Sequence, residues 1–432
     1  MKRLFCVIFA IVLALSSVSA LAEYENATVI NKTEKRNIKI HQATDNEAPL
    51  GYSPTTGRNL DELAAQIEGE DVLGMAITGF YYPVMVQENG ICGATGIGAP
   101  FYGSYADIYY EIPKSQTGHT RMCMIFNDYH PRYVGGSRSI RVGYLWIRQE
   151  WNAPFLFAGM QTGSPSSTFN TDCEKEATRL KLPSSYSSKV PIEEKVLFNG
   201  LDGGGKPWLA GRYRVDSLPS SCSLVWDLIY EVTEVLGKDR KFSNHTFKFT
   251  DALPEGGDQA NTVYVMFKNN KAASGDEDNP DDIYYFNSLY EYDEDENVYY
   301  RSMIRDLKEP KKNTIPFTEQ LAMNCETYKK DKLQMLKCDR VMGDDITFAN
   351  VIIQFVDEKW PSGECPYPIM TGQGNAEYFM GGKHLKGVWS RDTYNDRTVF
   401  YGEDGEEIEL QRGRTMIIVM DYKTETREVR YE

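Results

Sequence analysis

The chain has 432 residues, with 47 Lys and Arg against 62 Asp and Glu and a formal charge of −15. A surface this acidic excludes non-specific adhesion to nucleic acid or to an anionic membrane, both of which need clustered positive charge. The length allows two or three domains.

Residues 1–22 read as a secretory signal peptide. Lys2 and Arg3 give the charged start, residues 4–15 an apolar run, and Ala20-Leu21-Ala22 the small-x-small cleavage pattern. The run is shorter than the roughly 20 residues that span a bilayer. Glu23 stands where a lipid anchor would need cysteine, so a released chain is expected. Removing Lys2 and Arg3 leaves 45 basic residues against 62 acidic, a net −17. No later stretch has the length and apolarity of a transmembrane segment.

Residues 23–45 are polar and lack apolar periodicity, which predicts a flexible leader. The pattern over 60–67 predicts a short helix with Asn59 as its N-cap. Residues 81–87, 106–112 and 121–126 are β-rich runs. Residues 138–151 carry Val142, Leu145 and Trp146 at helical spacing after a glycine turn, and 173–180 and 223–236 are further helix predictions. This alternation implies an α/β layered domain over 46–240.

From 241 to 432 the punctuation changes. Strands are expected at 246–250, 262–268, 282–292 and 298–304, followed by a polar insertion over about 306–345. They resume at 348–356, 376–380, 384–390, 398–401, 407–410 and 415–421. Gly381-Gly382 and Asp404-Gly405 are tight turns in which glycine supplies positive φ. The fold class is therefore α+β, a layered N-terminal α/β domain followed by a mainly antiparallel β domain. Trp389, between Val388 and Ser390, is expected in the core.

Seven cysteines remain after cleavage, an odd number. Cys325 and Cys338 are the easiest disulfide pair, closing a short loop within the polar insertion. With no Cys-x-x-Cys and five scattered histidines, no metal site and no cofactor are expected. A Gly-x-Ser-x-Gly elbow is missing, and Cys222 has no histidine near it in sequence. The acidic runs at 275–282 and 293–297 lack the spacing and central glycine of a calcium loop and read as solvated turns.

The strongest site reading is Gly135-Gly136-Ser137-Arg138-Ser139-Ile140-Arg141. A glycine turn opening a helix offers free backbone N–H groups to an anion. Arg138 and Arg141, three apart, would project from one helical face and grip phosphate or carboxylate. Arg121, Asp107 and Glu111 complete the set, the carboxylates being able to neutralise the arginines internally instead.

Ala106-Asp107-Ile108-Tyr109-Tyr110-Glu111, His119-Thr120-Arg121-Met122 and residues 135–141 together resemble the N-terminal half of the YerB family of Gram-positive envelope lipoproteins. Tyr290-Glu291-Tyr292-Asp293, Asn350-Val351-Ile352-Ile353-Gln354 and the stretch from Gly372 to Thr415 resemble its second domain. The resemblance implies this two-part fold and an envelope location, without an assigned reaction. The expectation is an exported, non-catalytic protein engaging cell-wall polymer or an envelope protein. The alternative, from a resemblance in layout to LytR-type phosphotransferases, is a phosphotransferase or hydrolase acting on pyrophosphate-linked cell-wall glycan precursors.

Overall fold

The computed structural model describes residues 24–43, 47–66, 72–74, 83–89, 103–113, 120–131, 133–137, 139–157, 159–161, 172–182, 197–199, 213–215, 223–227, 245–267, 287–304, 314–316, 346–359, 367–425 and 427–432. The chain opens with β1 (Thr28–Val29), which pairs antiparallel with residues 430–431 near the C-terminus. Helix α1 (Leu60–Gln66) starts where Asn59 Oδ1 accepts the backbone N–H of Asp61 at 2.8 Å, so the expected N-cap is in place.

Strands β2 (Val84–Asn89), β3 (Ile108–Pro113), β4 (Thr120–Phe126) and β5 (Tyr133–Ser137) lie in the order β5-β2-β4-β3, all antiparallel. Helices α2 (Val142–Trp151) and α3 (Cys173–Arg179) follow. Almost every residue of α2 is buried, and Trp151 Nε1 donates to the Tyr110 hydroxyl on β3 at 2.9 Å, tying helix to sheet. Asp172 caps α3 by accepting from the backbone N–H groups of Glu174 and Lys175. The helix expected over 223–236 is corrected at its start. Ser223–Asp227 is a strand paired with β5, since a short β-branched and aromatic run gains more from an open sheet edge than from an isolated helical turn.

In the C-terminal half, β6 (Thr262–Met266), β7 (Ser288–Asp293) and β8 (Val298–Ile304) form a second sheet. The remaining long strands are β9 (Asn350–Lys359), β10 (Gly372–Met380), β11 (Lys383–Arg391), β12 (Val399–Gly402), β13 (Thr415–Asp421) and β14 (Glu428–Tyr431). The hairpin between β10 and β11 turns on Gly381 and Gly382, both at positive φ as expected. Trp389 is 2% exposed, in the core as expected.

The two halves share one large sheet of 15 described strands. Its hinge is β13, whose Met416-Ile417-Ile418-Val419-Met420 run has no polar alternation, the pattern of a strand covered on both faces. It lies parallel to β3 on one side and to β9 on the other, with Thr415 opposite Ile108 and Asn350. The main core runs without a break from Met85 and Tyr110 through Trp146 and Trp151 to Ile352, Trp389 and Ile417.

The flexible leader expected over 23–45 is also corrected. Residues 24–43 lie along the C-terminal half: beyond β1, the Lys32 ammonium donates to the carbonyls of Thr424 and Arg427, and His41 N–H donates to Gly405 O at 2.9 Å. Ile38, Ile40 and Ala43 pack against Val388, Val399 and Tyr401. A polar sequence without periodicity still docks when a sheet face offers it partners at every second or third residue.

Candidate functional site

Asp107, just ahead of β3, points inward. Its Oδ2 accepts the backbone N–H groups of Asn127 at 2.9 Å and Asp128 at 3.0 Å, and the Thr55 hydroxyl at 2.8 Å. Asp128, at the turn after β4, is caged by hydroxyls in turn: Ser53 donates to Oδ1, Thr56 to Oδ2 at 2.5 Å, and the Thr55 oxygen lies 3.2 Å from Oδ1. All five residues are at most 2% exposed. Burial, and secondarily the Asp128 charge, push the Asp107 carboxyl well above its usual range, so Asp107 holds a proton more readily than an exposed aspartate. The loop that supplies the hydroxyls is fastened from the other half, since Gly413 N–H donates to Thr56 O at 2.8 Å and the Arg412 guanidinium to Gly57 O.

Glu111 is engaged elsewhere. Its carboxylate accepts the Thr120 hydroxyl at 2.7 Å and lies 3.4 Å from the Arg301 guanidinium, which also donates to Ser288 Oγ and Tyr290 Oη. Burial raises the Glu111 carboxyl above its usual range despite Arg301. Arg121 sits on β4 opposite Ile112 and is 8% exposed.

The helical frame expected for the anion clamp is not found among the described residues. Gly135, Gly136 and Ser137 belong to strand β5, and α2 starts only at Val142. Arg141 precedes the helix in extended conformation (φ −120°, ψ 156°), and its guanidinium donates to the carbonyls of Ser139 and Ile140. Two arginines three apart on a helix face therefore do not exist here. The glycines extend the backbone into the sheet instead of turning it. Arg138, Cys325 and Cys338 lie outside the described residues. The described cysteines, Cys123 and Cys173, are buried thiols whose S–H groups point at the carbonyls of Met124 and Ile140.

Among the described residues, a solvent-open cavity lies in the C-terminal half. A cavity of about 890 Å³ is bounded by residues 248–258, 384–386 and 402–411. Leu253, Pro254, Leu385 and Ile408 make it partly aliphatic, and Leu253 is 59% exposed. Glu255, Asp258, Glu403, Asp404, Glu406 and Glu409 contribute carboxylates around it, against the amines of Lys248 and Lys386. Glu407, also in the wall, is paired with Arg397 at 2.7 Å. The sequence offered one signal for this site, the density of acidic residues in the hairpin 402–409, which reads as turn chemistry until the hairpin is seen to face residues 251–258.

The described geometry and the motif order agree with direct comparison. Residues 96–179 match the model "Protein of unknown function (DUF3048) N-terminal domain", and residues 282–417 match its C-terminal counterpart. The chain belongs to this two-part family. Its fold is similar to that in the crystal structure of the YerB protein from Bacillus subtilis, with a TM-score of 0.56 and 18% sequence identity over 88% of this chain and 99% of that one. No curated protein matches the chain. The similarity at this identity establishes fold, and it bears out the resemblance read from the motifs. Family residues Asp107 and Glu111 are buried framework in this structure, while the open cavity lies mostly along turns.

Proposed function

We propose that this is an exported, envelope-associated or secreted binding protein, which engages an amine-bearing cell-wall polymer or a basic segment of an envelope protein. The observation that carries the reading is a contrast in how carboxylates are used. Asp107 and Glu111, the carboxylates of the site read from sequence, are consumed by internal hydrogen bonds and by Arg301, as is Asp128 beside them. Six other carboxylates, those of Glu255, Asp258, Glu403, Asp404, Glu406 and Glu409, line a cavity of about 890 Å³ with an aliphatic wall. A concave site of that kind attracts positive charge and offers apolar surface for the carbon skeleton carrying it. Among the described residues no helix is long and apolar enough to cross a membrane, and no group of His, Cys, Asp and Glu is arranged to hold a metal ion.

The test is retention of the purified chain on isolated cell-wall sacculi and on immobilised basic peptide, with phosphate and sugar release followed in parallel. Retention without release is expected, weakening as salt is raised. The pair Glu403→Gln with Glu409→Gln should reduce retention about fivefold or more without moving the melting temperature. Unchanged retention by that variant removes the cavity from the reading, and release of phosphate or sugar replaces binding with catalysis.

A further inference from the structure

The leader does more than lie on the surface, because one of its side chains enters a prepared socket. Arg36 NH1 donates to the carbonyls of Ala376 at 2.8 Å and Gly387 at 3.0 Å, and NH2 pairs with Glu377. Glu377 has a fully buried side chain in mid-β10, and its other oxygen meets His384 Nε2 at 2.8 Å. Two carbonyls and a carboxylate grouped together favour a cation, and the planar guanidinium fork reaches all three at once.

Around the socket the sheet reads backbone. Asn375 Oδ1 accepts the N–H of Arg36 at 3.0 Å, and Asn375 Nδ2 donates to Glu34 O at 2.5 Å, so one side chain grips the leader's main chain on both sides. Gln373 Nε2 donates to Ile38 O at 3.3 Å. Such contacts hold any extended peptide, and the arginine pocket alone selects sequence.

A second observation separates the groove from its present occupant. Beneath the leader a cavity of about 210 Å³ remains, floored by Phe355, Trp389 and Tyr422. Gly374 keeps that floor open: a Cβ there would come within 2.5 Å of Phe355 O and 2.6 Å of Trp389 Nε1. Lys35 only skirts it, its ammonium 5.6 Å from the Tyr422 ring centre. The volume equals several water molecules at about 30 Å³ each, so the leader fills the groove incompletely.

We propose that this groove on β10 and β11 is a docking site for an extended, arginine-bearing peptide segment of another protein, and that residues 34–41 occupy it in cis. The site is distinct from the acidic cavity, and the inference does not depend on that cavity's role. The leader holds its place through tethering, which gives it a high effective concentration, so a partner must bind more tightly or arrive in excess.

The experiment uses a fluorescently labelled peptide of residues 30–43 and the full chain, with binding read by anisotropy. The peptide is expected to bind the Arg36→Ala protein about tenfold more tightly than the unmodified protein, because the competing side chain is gone. A peptide carrying Arg36→Ala is expected to bind each protein at least about tenfold more weakly than the unmodified peptide. Circular dichroism confirms that the protein variant is folded. Should it fail to fold, the two peptides are compared on the unmodified chain at high peptide excess, where the arginine requirement must persist. Equal binding of both peptides, or no arginine-dependent binding to either protein, overturns the proposal.

Discussion

Two buried carboxylate pairs, one in each half of the molecule, relieve their mutual repulsion by different means. Asp107 and Asp128 are surrounded by hydroxyls and backbone N–H groups and keep a proton. Glu358 and Asp421 flank a buried arginine, with Arg427 NH1 3.0 Å from the first and 2.5 Å from the second. Burial, offset in part by Arg427 and reinforced by Asp421, leaves the Glu358 carboxyl pushed up to about 7. Asp421 stays below its usual range, since Arg427 and the Thr424 hydrogen bonds outweigh burial. In the first pair the counter-charge is a proton and so answers to pH. The second keeps a counter-charge in a side chain and answers to mutation, with Glu358 adding a response to pH near 7.

The largest way to break this contrast is Arg427→Met, which keeps bulk and removes the cation. Two buried carboxylates would then face each other, at a cost of about 3 to 5 kcal/mol in urea unfolding at pH 7. The loss should shrink at pH 5, where Glu358 takes up a proton more readily. A loss under about 1 kcal/mol at pH 7 would mean that water already reaches the pair.

Asp128→Asn sharpens the other side. In the parent, the raised Asp107 value means that the folded state binds more protons than the unfolded chain above the ordinary value of 3.8, so this pair's stabilisation fades as pH rises through that window. Asn removes the like charge while its oxygen still accepts from Ser53 and Thr55. The variant should lie within about 1 kcal/mol of the parent near pH 5 and show a flatter decline above it. An unchanged slope would show that Asp128 is no part of the titrating unit.

His245 supplies the smallest effect and the opposite sign. Burial first, then the charges of Arg397 and Arg391, hold the imidazole neutral well below 6.5. It packs against Trp151 and Phe247 with Glu150 Oε1 3.8 Å from Nε2. Below pH 6.5 the unfolded chain takes up a proton that the folded one refuses, so stability falls by up to about 1.4 kcal/mol per pH unit. His245→Phe should remove that part of the acid slope, measured as the difference between variant and parent from pH 7 to pH 5. Parallel curves would place the acid sensitivity elsewhere.

Much of the fold was legible because strands obey local rules. The runs at 121–126, 298–304 and 415–421 end within a residue of Thr120–Phe126, Val298–Ile304 and Thr415–Asp421. Asn59 was readable as a cap because capping chemistry acts over two or three residues. The site was not legible for the same reason in reverse. Gly135-Gly136 looks locally like a helix-opening turn, and only pairing with Ser223–Asp227, distant in sequence, makes it a strand. Likewise Ser53, Thr55 and Thr56 form an ordinary polar turn until Asp128, more than 70 residues on, closes over them. Arg36 gave no signal at all, since its partner Glu377 lies 341 residues away.

The position of β13 bears on when this molecule can become whole. A ribosome delivers residues 415–421 about 300 residues after β3, yet they separate β3 from β9 at the middle of the large sheet. Until they arrive, two strands that will never touch directly expose apolar edges toward a gap. Pairing across more than 300 residues of chain makes that closure slow, and until it is made the growing polypeptide stays vulnerable to aggregation and proteolysis.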